Sequence, residues 1–420
     1  MIPIVTPKEM AAVDAAATEP VDVLIGRAGW ATARAARRMM GGTYGRVVNV
    51  IAGPGNNGAD GRAAGRFLAR RGVKIRVFGA SDCPPALPPA DLVIDAAYGT
   101  GFHGEWRAPR VGRTPVLAVD IPSGVNGLTG EAGRGVLAAD RTVTFAALKP
   151  GLLLGAGRNL AGAVEVADIG LDTSSTHAYA VEAADVARWW RPRPPTAHKW
   201  SRAVRVVAGS PGMTGAAHLA SGAANRAGAG MVALSSPGVD AVAPVEVVRH
   251  RLPAFDWASG VLSDLHRYHA LVIGPGLGRE DYTVESVRAA VVDAEVPVVV
   301  DGDGLFAMAW NPDGATQLLR RRRDATVLTP HDGEYGLLTG HHPPADRIAA
   351  ARDLAMDARA VVLLKGPTTV VAAPAGDVRV VTTADARLAT AGTGDVLSGI
   401  LGALLASGMA ALEAAASAAW

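Results

Sequence analysis

Apolar residues fall along this chain in short, nearly unbroken runs, each stopped by glycine, proline or a polar turn. The first half carries "RVVNVIAG" (46–53), "VKIRVFG" (73–79), "DLVIDAAYG" (91–99), "PVLAVDIPSG" (115–124) and "RTVTFAA" (141–147). They are rich in β-branched residues and apolar at consecutive positions. That is the pattern of strands covered on both faces, as in a parallel sheet flanked by helices. Between the first two runs, "GRAAGRFLARRG" (61–72) predicts a crossover helix, which makes 46–79 a βαβ unit. Ahead of them, 6–40 reads as helix, with Thr6 as cap, Pro7 in the first turn and alanine-rich spacing beyond.

Around 191–199 the chain reads "RPRPPTAHK", whose clustered prolines break both helix and strand, as a linker would. The strand pattern then restarts with "RAVRVVAGSPG", "HALVIGPGLG", "VPVVVDGDG", "ATVLTPHDGE", "AVVLLKGPTTVVAAP" and "VRVVTT". No internal repeat is visible. The economical reading is two α/β domains, 1–190 and 198–420, joined by a proline-rich linker at 191–197.

Composition narrows the function classes. With 49% apolar residues and a net charge of +2, the chain can bury large cores and has no charge excess that would favour nucleic acid. Cys83 is the only cysteine, so no intrachain disulfide can form, and a reducing, cytoplasmic setting is expected. No stretch reads as a signal peptide or a membrane span. Only five of the 41 basic residues are lysine: Lys8, Lys74, Lys149, Lys199 and Lys365. Where arginine has taken most surface positions, a retained lysine can mark a need for a compact ammonium. Lys149, Lys199 and Lys365 each lie beside another motif; Lys8 and Lys74 read as solvated.

Ligands of open parallel sheets collect outside the carboxyl ends of the strands. Three polar loops fall there in the first domain: "GPGNNGADG" (53–61), "DAAYGTGFHG" (95–104) and "DIPSGVNG" (120–127). A bare anion cradle needs only backbone donors, so two asparagines and an aspartate in the first loop point to something more than phosphate. Asn57, Asp95 and Ser123 offer one carboxylate and two neutral oxygens. Such a set could cage a weakly charged hard cation, or it could serve only as a network of caps and turns. Asp120 ends the otherwise apolar run "PVLAVD". A partly desolvated carboxylate there could transfer protons, or could simply cap a turn.

The second domain carries a different constellation. "AGTGDVLSGILGALLASG" (391–408) is a glycine turn leading into an apolar helix, whose first N–H groups and dipole favour an anion. Asp395 stands at that start. Phosphoryl transfer to a hydroxyl needs charge stabilisation and a group to accept the hydroxyl proton, and the turn and the carboxylate together supply both. The G-x-G-D arrangement resembles the ribokinase-like fold, in which that aspartate is the base; no Walker G-K-[ST] occurs. "LKGPTTVV" (364–371) adds Lys365 and threonine hydroxyls at a strand end, "TPHDGE" (329–334) adds His331 and Glu334, and "GPGLG" (274–278) allows close backbone approach. Taken singly, His331 reads more readily as a structural turn residue than as a ligand.

In order and spacing, the three loops and "FAALKPG" (145–151) resemble the epimerase domain of the bifunctional NAD(P)H-hydrate repair enzymes over residues 1–190. The segments from "HKWSRAVRVVAGSPG" to the G-x-G-D turn resemble that family's dehydratase domain over 198–420. The resemblance implies an α/β protein with an N-terminal Rossmann-like parallel-sheet domain and a C-terminal ribokinase-like α/β domain. It implies that hydrated NADH or NADPH (NADHX, NADPHX) contacts Asn56, Asn57, Gly58, Ala59, Asp60, Gly99, Thr100, Gly101, Phe102, His103, Gly104, Glu105 and the catalytic Asp120. A potassium ion would rest on Asn57, Asp95 and Ser123. In the second domain the hydrate would contact Ala216, Gly276, His331 and the catalytic Asp395. The adenine nucleotide, with magnesium, would bind Lys365, Gly366, Pro367, Thr368, Thr369 and Gly394. Bacterial members use ADP, and the arginine bias suggests a bacterium, so ADP is expected over ATP. A cytoplasmic homo-oligomer without nucleic-acid or membrane partners completes the expectation.

Three departures from the family pattern stand out. Ala59 replaces a usual glycine and would be strained by about 1 kcal/mol if that position needs a positive φ. The family often carries a glycine–asparagine pair before the last loop, where this chain reads "ADARLATAGTGD", and relatives continue past Trp420, so "MAALEAAASAAW" is expected to be a helix cut in mid-pattern. The alternative function is a ribokinase-like vitamin or sugar kinase fused to a nucleotide-binding domain. A further reading, which rests on Ala59, makes the first domain a non-catalytic binding module.

Overall fold

The N-terminal helical pattern is split by its own proline. Thr6 and Glu9 close a capping box, with Glu9 N–H donating to Thr6 Oγ1 at 3.2 Å and Thr6 N–H to Glu9 Oε2 at 2.7 Å, and this starts the helix Pro7–Ala15. Pro20 has no N–H with which to continue that helix, so a second one, Val21–Met40, starts after it and stops at Gly41. The expected single helix over 6–40 is therefore two.

In the computed structural model, residues 1–102, 104, 106–310 and 314–420 are described, and they fall into two units, Ile2–Ala178 and Tyr179–Trp420 together with Met1. The first unit is built on a six-stranded sheet in the order Lys74–Gly79, Val47–Ala52, Leu92–Ala96, Val116–Val119, Arg141–Phe145, Ala163–Ala167. All of its pairings are parallel. The four inner strands are almost wholly buried, as their apolar runs require. Lys74–Gly79 is an edge strand instead, with Val77 half exposed, so its run is not covered on both faces. Helices Val21–Met40 and Asn56–Ala69 supply Ala28, Ala35, Ala64 and Leu68 to the core over Val48, Val50, Ile94 and Leu117. Each fully buried branched side chain there contributes about 1.5–3 kcal/mol.

The second unit repeats the principle on a longer sheet. Parallel strands run in the order Val361–Leu364, Thr326–Leu328, Val298–Val300, Ala270–Ile273, Ala203–Val207, Met231–Ser235. Beyond Val361–Leu364 the sheet continues antiparallel through Thr369–Ala372 and Val378–Val381. Helices Thr214–Arg226, Thr393–Ala406 and Ala411–Ala419 cover one face, packing Ala217, Ala220, Leu401 and Ala415 over Val204, Val272, Val299 and Val327. The proline-rich segment lies within this unit, where Arg202 donates to the carbonyls of Arg191 and Pro192. In both units the polar loops emerge at the carboxyl ends of parallel strands, and both candidate sites lie there.

Candidate active sites

In the first unit the glycine loop is shorter than its sequence suggests. Gly55 is the N-cap, and the helix Asn56–Ala69 begins at once. Gly58 must lack a Cβ, because one would sit 2.0 Å from the Gly53 carbonyl oxygen. Ala59 donates its N–H to Gly55 O at 3.1 Å inside this helix and is not among the positive-φ residues. The strain expected at Ala59 is absent, and with it goes the support for a non-catalytic first domain.

Asp120 is held in an uncommon conformation at the end of Val116–Val119. Its φ is +66°, and Ile121 N–H closes a tight turn around it by donating to Val119 O at 2.8 Å. The neighbouring strand does the same at Ala146, with φ +62° and Ala147 N–H donating to Phe145 O at 2.7 Å. The second turn brings in Lys149, whose buried ammonium donates to Asp120 Oδ1 at 2.7 Å, Thr144 Oγ1 at 2.9 Å and Phe145 O at 2.9 Å. Thr144 Oγ1 also donates to Asp120 Oδ1 at 3.0 Å. The carboxylate is thus fixed by an ion pair rather than left bare in apolar surroundings.

A cavity of about 800 Å³ opens over this pair, lined by Asn56, Asn57, Asp60, Gly99, Thr100, Gly101, Phe102, Asp120 and Lys149 among others. Most of the expected substrate contacts of the first domain therefore share one space. Gly58, Ala59 and Gly104 do not line it, and His103 and Glu105 lie outside the described residues. Asp60 is 7% exposed. Burial, then the charges of Asp120 and Asp14, push its carboxyl up to about 8. Asp14 lines the same cavity from the helix Pro7–Ala15 and has no counterpart among the sequence expectations.

The three candidate cation ligands gather at the segment Tyr98–Gly99. Ser123 Oγ donates to Asp95 Oδ1 at 2.6 Å and accepts from Tyr98 N–H at 2.9 Å, while Ser123 N–H donates to Asp95 Oδ2 at 2.9 Å. Asp95 is fully buried, and that burial raises its pKa against the pull of these bonds. Asn57 borders Gly99, where a Cβ would stand 3.4 Å from its own Cβ and 3.5 Å from Asp120 Oδ2. Both polar atoms of the Asn57 amide are buried without a hydrogen-bond partner. A buried amide with no protein partner is the mark of a group that waits for a ligand or an ion.

The second site centres on Lys365, at the end of Val361–Leu364. Its ammonium lies 2.9 Å from Asp301 Oδ1 and 3.4 Å from Glu334 Oε2. Burial pulls its pKa down, but the two carboxylates outweigh that and hold it above its ordinary value. A Cβ on Gly394 would lie 3.7 Å from both Lys365 Nζ and Asp301 Oδ2, so the start of the helix Thr393–Ala406 faces the lysine. Asp395, one residue on, is pushed up to about 6 by burial and then by Asp301, against the pull of Lys365. Nearby, Gly276 has φ +62°, and a Cβ there would meet Ala216 Cβ at 2.9 Å, so those two expected contacts are neighbours. Ser210 Oγ ties the same turn by donating to Gly276 O at 2.9 Å.

His331 has a definite structural task. It is the N-cap of helix Asp332–Thr339, with Nδ1 accepting from Gly333 N–H at 3.0 Å and Glu334 N–H at 3.1 Å. Its ring is more than half exposed, and its Nε2 lies 3.6 Å from Glu334 Oε1. Gly366 passes close to Arg347, which donates to Lys365 O at 2.8 Å; Thr368 and Thr369 are buried and Pro367 is exposed. Asp301 is the residue of this second site that sequence reasoning missed. It ends "VPVVVD" just as Asp120 ends "PVLAVD", and the same signal would have found it.

The sequence family described as NAD(P)H-hydrate dehydratase matches residues 204–420, and that described as YjeF-related protein N-terminus matches 21–86 and 80–151. A bifunctional NAD(P)H-hydrate repair enzyme of Mycobacterium tuberculosis (strain ATCC 25618 / H37Rv) is 39% identical over 403 residues, covering 90% of this chain and 82% of that protein. One of the same name from Escherichia coli (strain K12) is 32% identical over 411 residues, covering 87% of this chain and 77% of that one. Among solved structures, a ribokinase-like superfamily protein of Enterococcus faecalis V583 reaches a TM-score of 0.50 at 20% identity, over 58% of this chain and 85% of that one. This last likeness bears on fold alone, and agrees with the ribokinase-like reading. Family matches in both units, and relatives that align across them, lead to one conclusion: the chain belongs to the bifunctional NAD(P)H-hydrate repair enzymes.

Proposed function

We propose that the chain interconverts the R and S epimers of hydrated NAD(P)H at the first site and, with ADP, dehydrates the S epimer at the second. What carries the reading is that the relatives align across both units, and each unit supports a candidate base of its own, Asp120 in one and Asp395 in the other. The kinase alternative would leave the Asp120–Lys149 pair and its cavity without a task.

At the first site the C6 hydroxyl of the hydrate sits on a carbon bonded to the ring nitrogen. Epimerisation there opens the C6–N bond to an aldehyde as the hydroxyl gives up a proton and the nitrogen gains one, and reclosure on the opposite face returns both, with no net change. Asp120, aimed by Lys149 and Thr144, is the proton carrier. Asn57, Asp95 and Ser123 would hold potassium. The unpartnered Asn57 amide fits a weakly bound cation, which would neutralise part of the charge near the substrate's anionic groups.

At the second site the S hydrate's C6 hydroxyl attacks the terminal phosphorus of ADP, Asp395 accepts its proton, and AMP leaves. Phosphate is a far better leaving group than hydroxide. The ring nitrogen's lone pair then expels it, and loss of the C5 proton restores the reduced nicotinamide. Lys365, Gly394 and the helix start hold the phosphates. Residues 366–369 and His331, Ala216 and Gly276 frame the two ligands. Among the described residues no three acidic or histidine side chains gather to hold a metal unaided. Magnesium would therefore come with the nucleotide and offset the surplus of carboxylates around Lys365. Both NADHX and NADPHX are taken as substrates, in the cytoplasm, by a homo-oligomer. No described helix is long and apolar enough to cross a membrane.

The test is the return of reduced-nicotinamide absorbance from a mixture of both hydrates, with ADP and ATP supplied separately. Full recovery with ADP is expected. Recovery that stops when the S epimer is gone would refute epimerisation, and none with either nucleotide would refute the whole reading. Asp120→Asn should stop at the S epimer while still binding the hydrates.

A further inference from the structure

One buried carboxylate of the second site has no part in the chemistry above. Asp301 is 3% exposed and accepts hydrogen bonds from three separate elements. Thr329 Oγ1 donates to Oδ1 at 2.7 Å, Lys365 Nζ to Oδ1 at 2.9 Å and Ser398 Oγ to Oδ2 at 2.7 Å. These donors stand just past the strand Thr326–Leu328, just past Val361–Leu364 and in the helix Thr393–Ala406. Asp301 N–H is tied to a fourth element by donating to Ile273 O at 3.2 Å. Ser398 Oγ also lies 3.0 Å from Gly394 O, in the turn that presents Asp395.

We propose that Asp301 is a positioning residue of the dehydration site, fixing the Lys365 ammonium beside the start of helix Thr393–Ala406 so that the nucleotide phosphate meets a preset cation. Two features separate this role from packing alone. Lys365 is 21% exposed, so its head could turn toward water, and the carboxylates of Asp301 and Glu334 are what keep it at the helix start. The same carboxylate is also a fixed negative charge beside Asp395 and contributes to its raised pKa. The other charges that act on Asp395 are Lys365 and Asp303, and Asp303 is itself paired with Arg279.

This inference rests on the dehydratase reading, but its test needs no turnover. In the full-length protein, ADP binding with magnesium is followed by titration calorimetry, and Asp395 is titrated through its carboxyl carbon by NMR. Asp301→Asn is expected to bind ADP about ten-fold more weakly, the equivalent of one misplaced charge-assisted hydrogen bond. It is also expected to move the Asp395 midpoint down from about 6. Unchanged ADP affinity or an unchanged midpoint overturns the proposal. Ser398→Ala removes a neutral bond to the same carboxylate and keeps the charge, so its midpoint should stay, which separates charge from packing. If Asp301→Asn does not fold, Asp301→Glu takes its place. It retains the charge but displaces the ammonium, so weaker ADP binding with the midpoint still raised supports the proposal, and wild-type affinity overturns it. A wild type without dehydratase activity would refute the proposed function and leave these measurements decisive here.

Discussion

Lys149 donates to Asp120 Oδ1 over 2.7 Å from a side chain that is 1% exposed; Asp120 is the centre of one tight turn, and Lys149 follows the tight turn at the end of the adjacent strand. An ammonium buried this deeply is tolerable only with its partner in place. Lys149→Met takes the ion pair from Asp120, leaving it the Thr144 hydroxyl, and takes the donor from Phe145 O, so it should lower stability by about 3 kcal/mol and abolish epimerisation. Dehydration of the pure S epimer should survive, because the second unit holds its own site. Urea unfolding and the two-epimer absorbance assay read the two effects separately. A variant that epimerises at the wild-type rate would remove the ion pair from the mechanism.

Asp60 predicts a pH dependence with a definite sign. Its carboxyl titrates near 3.8 when unfolded and is pushed up to about 8 in the folded chain. Between those values the folded state binds the extra proton, so this group's contribution to stability falls as pH rises through the window. Above about pH 8 the penalty of burying the charge beside Asp120 and Asp14 is complete. Asp60→Asn should therefore match the wild type near pH 4 and exceed it by a few kcal/mol near pH 9, measured as the difference in urea unfolding free energy. A difference that is the same at both ends would refute the assignment. The variant should also bind hydrate more weakly, since Asp60 lines the cavity.

The uneven legibility of these sites has physical reasons. Asp120, Asp95, Ser123 and Lys365 were readable because each follows an apolar run, and topology forces strand ends together; Asp395 was readable because it follows a glycine turn at the start of an apolar helix. Asp14 was not, because it lies on a helix ahead of Val47–Ala52, the first strand of the six-stranded sheet, and only tertiary packing brings that helix to the cavity. Ala59 was misread because the loop's glycines suggest a longer turn than exists; the helix begins at Asn56 and takes the alanine in without strain. Pro20 was overlooked inside an alanine-rich pattern, although its missing N–H was enough to divide the helix. Asp301 carried the same signal as Asp120, a carboxylate closing an apolar run.

Asp395 predicts the acid limb of dehydration. A base works only in its ionised form, and burial beside Asp301 pushes this carboxyl up to about 6. The rate kcat/KM for the S epimer should therefore be constant above about pH 7 and fall on acidification with a midpoint near 6. Asp395→Asn should lose activity about 10³-fold, within the range expected for loss of a general base. A profile flat down to pH 5 would mean that another group takes the proton.

Ala146 offers a test that leaves every catalytic side chain in place. It has φ +62° at the centre of the turn that delivers Lys149, a region where an alanine Cβ crowds its own backbone. The residue is only partly buried, so little packing would be lost with the methyl group. Ala146→Gly relieves the crowding while slightly enlarging the unfolded ensemble, and the balance should favour the folded state by about 1 kcal/mol. The same change loosens the turn that aims Lys149 at Asp120. The predicted variant is therefore more stable and slower at epimerisation, with dehydration of the S epimer unchanged. Thermal unfolding checks the first half and the epimer assay the second. A variant that is less stable would show that the turn is strained less than its dihedral implies. One that is more stable and equally fast would show that the Lys149–Asp120 pair, not the turn, fixes the geometry of the site.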